Sequence, residues 1–335
     1  MKTVVVFQGG GALGAFGCGA WQSVAPWLRA RGDRIVALAG TSIGAVNAAV
    51  AARHFHSADA GTHALLHLWR HTIATPSFPF FGMPVGSSAH AARVRAWNGV
   101  FTGWLLGTRG LYRAQPLHWL PWMALQRLEH PLMDRGAMWQ LLERLVGRYA
   151  SVAATQPLLA AGAVNLMTGA LRLFDSDEAP MGAAQLAASS AIPLLFEPVE
   201  IDGERYWDGD ITRDSLLPPL LLRLQASGRL REGEALQLVS IEPFARPLAE
   251  VPQSGLQLAH RAMNLMQLDK LVPPPLPNLK RWVRITRPPL PQDGISGEFD
   301  YSPQRLETLI EQGTATARTA LVGSLAATEE TGAGY

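Results

Sequence analysis

Ser42 stands midway between two glycines in the run Gly40-Thr41-Ser42-Ile43-Gly44, a spacing suited to a nucleophile. A reactive serine at a strained strand-to-helix turn needs glycine two residues to either side, because side chains there would collide with the crossing backbone. The apolar run Ile35 to Ala39 predicts the strand, and the Ala-rich segment after Gly44 predicts the helix. The first turn of that helix would aim N–H groups at negative charge developing beside Ser42. An ordinary Gly/Ser turn shares the bare pattern, but the strand before it and the helix after it favour the chemical reading.

A serine hydrolase also needs donors for an oxyanion and a base. The cluster Gly9-Gly10-Gly11-Ala12-Leu13-Gly14 follows an apolar strand, Thr3 to Gln8, and offers backbone N–H groups with little side chain in the way. The base is less obvious. A conventional triad would place an acid and then a histidine after the serine, and only His260 lies beyond Asp208. His260 falls in the helical pattern Leu256 to Met263 and reads as structural. The economical alternative is a serine-aspartate dyad. Asp208, between Trp207 and Gly209 at the end of a hairpin, could meet Ser42 with a partly desolvated and therefore more basic carboxylate.

The elements that must position these residues are readable in outline. With 335 residues, 48% of them hydrophobic, the chain has ample material for a core. Its formal charge of +2 gives no field that would argue for nucleic acid. The single cysteine, Cys18, excludes an internal disulfide, fits a reducing compartment and reads as a small core residue on the first helix. The start of the chain reads as a strand rather than a signal segment, and no apolar run reaches the roughly 18 to 20 residues that span a bilayer. A cytoplasmic location is therefore expected. Two strand-turn-helix units, Thr3 to about Arg31 and Ile35 to about Arg53, predict a parallel sheet with helices on its faces. A helix is predicted over Ala64 to His71 and another over Asp134 to Tyr149. Hairpins are predicted for 158–174 and around Asp202-Gly203, the second delivering Asp208-Gly209-Asp210. Further on the pattern gives helices over Gln185 to Ala191, Leu216 to Gln225 and Ser302 to about Leu321, strands over Leu236 to Ile241 and Trp282 to Ile285, and a disordered tail.

From Thr75 to about Pro131 the composition changes. Phe78, Phe80, Phe81, Trp97, Phe101, Trp104, Trp119 and Trp122 crowd together with Pro and Gly, and this stretch reads as a cap inserted over the sheet. Arg93, Arg95, Arg109, Arg113, Arg127 and Arg135 face only Glu129 and Asp134. Two readings stay open at this point: aromatics packed inward with arginines toward water, or a basic aromatic element lying on an anionic lipid surface. Gly99, Gly103 and Gly107 recur every four residues, which on a helix would place them on one close-packing face.

Taken in order, Gly9 to Gly14, Gly40-Thr41-Ser42-Ile43-Gly44 and Asp208-Gly209, with Ala188-Ser189-Ser190-Ala191-Ile192-Pro193 before the aspartate, resemble the patatin-like phospholipases, including bacterial members, over about Val4 to Leu217. The resemblance implies a three-layer α/β/α fold with a mostly parallel central sheet, here carrying an inserted aromatic-rich cap. It implies a Ser42/Asp208 dyad, an oxyanion hole from the amides of Gly10, Gly11 and Ala12, motif glycines Gly9, Gly14, Gly40, Gly44 and Gly209, and lipid acyl-ester hydrolysis without metal or cofactor. The expected organisation is one hydrolase domain over residues 1–325, with the cap at about 75–131 and a disordered tail at 326–335. The expected partner is a lipid or other acyl ester, with peripheral membrane contact through the cap as the open alternative. Leu13 stands where many members carry Arg or Lys, which removes a positive charge from the oxyanion loop and brings neutral acyl esters forward as substrates. Asp210 adds a second carboxylate where the family usually has Gly or Ala, and it is expected to point away from Ser42, since like charges held close together raise a pKa.

Two rival readings come from other classes. Gly9-x-Gly11-x-x-Gly14 after a first strand also fits a dinucleotide fingerprint, but the second strand ends at Ala39-Gly40 with no acid for the ribose, and Asp33 precedes that strand. A non-catalytic lipid-binding protein of the same fold is the other, and intact Ser42 and Asp208 argue against it.

Overall fold

The structure is a computed structural model, and it describes all residues except 116–117, 119–130, 152–154 and 333–335, with side chains described as far as Ser324 apart from that of Leu256. Trp119, Trp122, Arg127 and Glu129 of the aromatic stretch lie outside the described residues. The chain opens with β1 (Lys2–Phe7), a glycine loop holding one tight turn (Gly11–Leu13), α1 (Gly14–Ala30), β2 (Arg34–Thr41) and α2 (Ile43–Arg53). Next come α3 (Ala58–His67), which runs on into a π-helical segment at Leu68–Ile73, then α4 (Ala89–Leu105), a small ribbon of β3 (Arg113–Ala114) and β4 (Met133–Asp134), and α5 (Gly136–Leu145). The second half contains β5 (Leu158–Asn165), β6 (Leu171–Asp175), α6 (Ala183–Ser189), β7 (Val199–Ile201) and β8 (Glu204–Asp208). It closes with α7 (Leu217–Ala226), β9 (Leu236–Glu242), α8 (Gly255–Gln267), β10 (Leu279–Thr286) and α9 (Pro303–Gly332).

The main sheet has the order β10-β9-β1-β2-β5-β8-β7, with β6 also paired to β5. From β10 through β5 every pairing is parallel, while β6, β7 and β8 pair antiparallel. Because successive side chains of a strand face opposite ways, β1 divides between two cores. Val5 and Phe7 pack with α1, α2 and α9, whereas Val4 and Val6 pack with Leu217, Leu220 and Leu224 of α7. Strands buried on both faces read as continuous apolar runs. Helix, sheet and helix thus form three layers, as the glycine-punctuated pattern predicts.

One strand brings the two halves of the chain together. Residues Ala37 to Thr41 of β2 pair with Leu158 to Gly162 of β5, and the next residue, Ala163, pairs with Asp208 at the end of β8. Because β6 holds the other edge of β5, β2 and β8 share one edge and meet end to end. Ser42 and Asp208 leave their strands at that junction.

Several expectations are corrected. The helix predicted over Ala64 to His71 begins at Ala58, where Ser57 Oγ accepts from the Ala60 N–H, and its last part is π-helical. Gly107 lies beyond the end of α4 with a φ of 94°, so only Gly99 and Gly103 share its face. That face is covered by the chain itself: a side chain at Gly99 would overlap the Asp300 carboxylate, and one at Gly103 the Phe299 carbonyl. The aromatics of 75–104 do not simply turn inward, since Phe78, Phe80 and Phe81 are exposed. Arg135, counted with the basic surface of that stretch, is buried. The last helix runs past Leu321 to Gly332, and the tail expectation for 326–335 falls on residues whose side chains lie outside the described ones. Among the described residues no helix is long and apolar enough to cross a membrane.

Candidate active site

Ser42 caps α2 with φ 52° and ψ −133°, a conformation that costs a non-glycine residue free energy and persists only where its surroundings hold it. Three hydrogen bonds and two close backbone crossings do so. The Ser42 N–H donates to both the carbonyl and the Oγ of Ser189, each at 3.0 Å, and Ser189 Oγ itself donates to the Gly162 carbonyl at 2.7 Å. On either side the backbone passes too closely for a Cβ: at Gly40 it would lie 2.5 Å from the Gly44 carbonyl carbon, and at Gly44 it would overlap the Phe7 carbonyl. The glycine spacing that suggested a turn is therefore a record of two chain crossings.

Ser42 Oγ donates to Asp208 Oδ2 at 2.7 Å, and Asp208 Oδ1 accepts from the Asp210 N–H at 2.8 Å. One carboxylate oxygen is thus pinned by backbone while the other faces the serine. Both residues are buried, Ser42 at 6% and Asp208 at 2% exposure. Burial, first, and the neighbouring Asp210 charge, second, push the Asp208 carboxyl up to about 8. Gly209 permits the tight exit from β8, because a side chain there would overlap the Gly162 carbonyl.

Asp210 turns from Ser42 in its hydrogen bonding but not in its position. Its Oδ1 accepts from Thr41 Oγ1 at 2.8 Å, and its other oxygen fills the space a side chain at Gly9 would need, beside the Ser42 Cβ. Lys270, buried, donates to the Asp210 carbonyl at 2.8 Å and stands 3.6 Å from its carboxylate. The second carboxylate is thereby held next to the first and partly neutralised.

The glycine loop brings its amides to the same place. Gly10 and Gly11 have φ of 123° and 53°, open to glycine, and their N–H groups make no hydrogen bond among the described residues. Ala12 differs from expectation, because its N–H donates to the Glu298 carbonyl at 2.9 Å. A Cβ on Gly14 would come within 2.7 Å of Ile43, so this glycine lets α1 approach α2. Gly11, Ser42, Met138, Phe196, Glu298 and Tyr301 are among the residues lining a small cavity of about 40 Å³. Pockets that hold drug-sized ligands run to several hundred Å³, so this cavity is much smaller than such a site.

Some residues of the site carry no sequence signal. Glu298 arrives from the far end of the chain, and burial, then the Asp210 charge, raise its carboxyl to about 7. Arg135 donates to the carbonyls of Ala187 and Glu197 at 2.8 and 2.9 Å, with its guanidinium over the Phe196 ring, and so fixes the segment before β8. Burial lowers Arg135 to about 10, opposed by the Asp208 charge. Asn47 ties the loop to the helices, donating to the Gly14 carbonyl and accepting from Trp69 Nε1. A buried arginine is the hardest of these to foresee, since Asp134-Arg135 reads as surface.

His260 lies on α8 with Nε2 3.8 Å from Glu298 Oε1, and bonds neither Ser42 nor Asp208. Cys18 is buried in α1, and burial pushes its thiol up. Asp33 sits at the start of β2, bonded to the chain N-terminus at 2.9 Å and to Arg31 at 2.9 Å. It is therefore spoken for at the wrong end of the strand for a ribose. The space over Gly11 is occupied by the Glu298 carbonyl and the Tyr301 hydroxyl, where a pyrophosphate would have to sit.

A family model described as patatin-like phospholipase matches residues 5–220. Similar solved structures include VipD from Legionella pneumophila, with 14% identity and a TM-score of 0.39, covering 96% of this chain and 67% of that one. The heterodimeric complex ExoU-SpcU from the type III secretion system of Pseudomonas aeruginosa is another, with 15% identity and a TM-score of 0.35, covering 97% of this chain and 52% of that one. The chain spans about half the length of the latter, and at these scores neither likeness carries an argument about activity. No curated protein matches the chain.

Proposed function

The chain belongs to the patatin-like phospholipase family, and from that membership we propose that it is a lipid acyl hydrolase working through Ser42 and Asp208. The observation that carries the reading is the 2.7 Å hydrogen bond from Ser42 Oγ to an aspartate whose other oxygen is already held by backbone. In this reading Asp208 takes the Ser42 proton as Oγ attacks the ester carbonyl carbon. The Gly10 and Gly11 N–H groups stabilise the oxyanion, and Ala12 joins them when the Glu298 carbonyl withdraws. Collapse of the tetrahedral intermediate expels the alcohol, which receives the proton back from Asp208. Water, deprotonated by Asp208, then attacks the acyl-Ser42 ester, and the bond to Oγ breaks as Asp208 passes that proton to Ser42, which frees the fatty acid and restores both groups. No metal enters any step. The substrate class we favour is a phospholipid or lysophospholipid. Leu13, buried, places no cation at the loop, and neutral acyl esters are the second class to assay.

A fluorophosphonate probe tests this directly. Wild type is expected to be labelled and Ser42→Ala to be unlabelled; well-folded wild type that resists the probe would remove the acyl-hydrolase reading.

The raised carboxyl gives a second prediction. Asp208 acts as a base only when ionised, so kcat/KM should rise with pH through about 8. Asp210→Asn keeps an acceptor for Thr41 but removes the neighbouring charge, and should move that rise to lower pH. A pH profile measured on a soluble ester checks it, and an unmoved midpoint would contradict the role given to Asp210.

A further inference from the structure

Helix α8 is amphipathic the wrong way round for a helix in water. Gln257, His260, Arg261, Asn264 and Gln267 recur at helical spacing on its inner face, while Leu258, Ala259, Ala262, Met263, Leu265 and Met266 form its outer face. Leu258 and Met263 are each 59% exposed. On the inner face His260 Nε2, Asn264 Oδ1 and Gln267 Oε1 are buried without hydrogen-bond partners among the described residues. Surface helices normally present the opposite arrangement, polar outward and apolar inward. An arrangement unfavourable on both faces in water is what a helix shows when its outer face meets something apolar.

The face does not stand alone. A groove of about 240 Å³ lined by Trp97, Val251, Gln257 and Asn264 joins α8 to α4. Trp97 and Phe101 pack against Phe81, the latter edge-on at 4.9 Å between ring centroids, and the loop continues through Met83, 79% exposed, and Val85. Around these apolar groups the segment 75–114 carries four arginines and no carboxylate. Of these Arg93, Arg109 and Arg113 are exposed, with Arg93 paired to Glu250 at 3.4 Å across the groove. Exposed apolar side chains borne by a segment whose only formal charges are arginines complement an anionic bilayer, where side chains enter the acyl boundary and cations meet lipid phosphates. The surface also adjoins the site: Gln267 donates to the Asp210 carbonyl at 2.8 Å, and a side chain on Gly297, next to Glu298, would meet the His260 ring at 2.9 Å.

We infer that the outer face of α8, together with the 78–85 loop, docks this protein on an anionic lipid surface. This rests on the lipid-hydrolase reading for its choice of partner, since a chain that takes its substrate from an aggregate must sit on it. Docking places the 298–301 segment, and the cavity behind it, at the lipid boundary.

Flotation of the full chain with vesicles of equal parts phosphatidylcholine and phosphatidylglycerol is the test. Wild type should float with these and far less with phosphatidylcholine alone. The triple variant Leu258→Glu/Met263→Glu/Met266→Glu should lose roughly tenfold or more in bound fraction, because apolar insertion and charge attraction are both reversed. Its melting temperature should not fall, since the replaced side chains face outward. Phe81→Glu/Met83→Glu should lose binding similarly. Flotation needs no turnover, and fluorophosphonate labelling of the triple variant should equal that of wild type. A site that labels without flotation would therefore sink the docking alone, and flotation without labelling would sink the hydrolase reading alone. The inference is overturned if wild type fails to float, if the triple variant floats like wild type, or if sedimentation shows a dimer that the triple variant dissociates, which would give the face to a second copy.

Discussion

Asp208→Asn is expected to abolish turnover while making the folded chain more resistant to heat at alkaline pH. The amide matches the carboxylate in shape and can still accept from the Asp210 N–H, but it cannot take the Ser42 proton, so kcat should fall on the order of 10⁴-fold. Stability moves the other way for an electrostatic reason. In the fold the carboxyl is raised from 3.8 to about 8 by burial and by Asp210, so the folded state holds that proton more tightly than the unfolded chain does. The associated stability is fully present below the unfolded value and is lost as pH rises through the folded one. The variant has no such loss, and its advantage in melting temperature should grow above pH 4 and level off beyond about 8. Melting curves across that range check it. A gap independent of pH would show that Asp208 does not carry the raised value.

Gly44→Ala should disable the site by a different route. A methyl group there would overlap the Phe7 carbonyl and lie 2.7 Å from the Gln8 carbonyl oxygen. Both neighbours are backbone in or beside β1 and cannot rotate away. We expect a loss of about 3 kcal/mol or more, typical of severe overpacking against fixed backbone, and loss of fluorophosphonate labelling in whatever fraction folds. Gly323→Ala is the control: its Cβ meets nothing in α9, and removing a helical glycine should add about 1 kcal/mol of stability. A folded, labelled Gly44→Ala protein would show that the chain crossing is looser than described.

These two residues also mark what could be read from sequence. Gly40 and Gly44 are informative because the requirement they meet is local and steric, and the Asp202-Gly203 turn is informative for the same reason, with φ of 53° and 80° at its centre. Asp208 follows from that turn by counting. What escaped is settled between segments far apart. Nothing near Ala12 announces that its N–H is taken by Glu298, 286 positions later. Nothing in Asp134-Arg135-Gly136 tells a buried guanidinium from an exposed one, because the carbonyls it serves come from α6 and the strand approach after it. Periodicity gave α8 its helix, but a helical stripe has two sides and the pattern alone does not say which faces the protein. His260 stands 3.8 Å from Glu298, and nothing in its helical stretch points to that distant carboxylate.

The end-to-end meeting of β2 and β8 on one edge of β5 means that the distance between nucleophile and base is written in main-chain pitch. Gly162 and Ala163 act as adjacent ruler marks, one for Thr41 and one for Asp208. Side-chain replacements around the pair can change its acidity or its access without changing that separation. A single residue gained or lost at those marks would instead turn the alternation of β5 over and send the two partners to opposite faces of the sheet. The site is thus tolerant in its chemistry and intolerant in its counting.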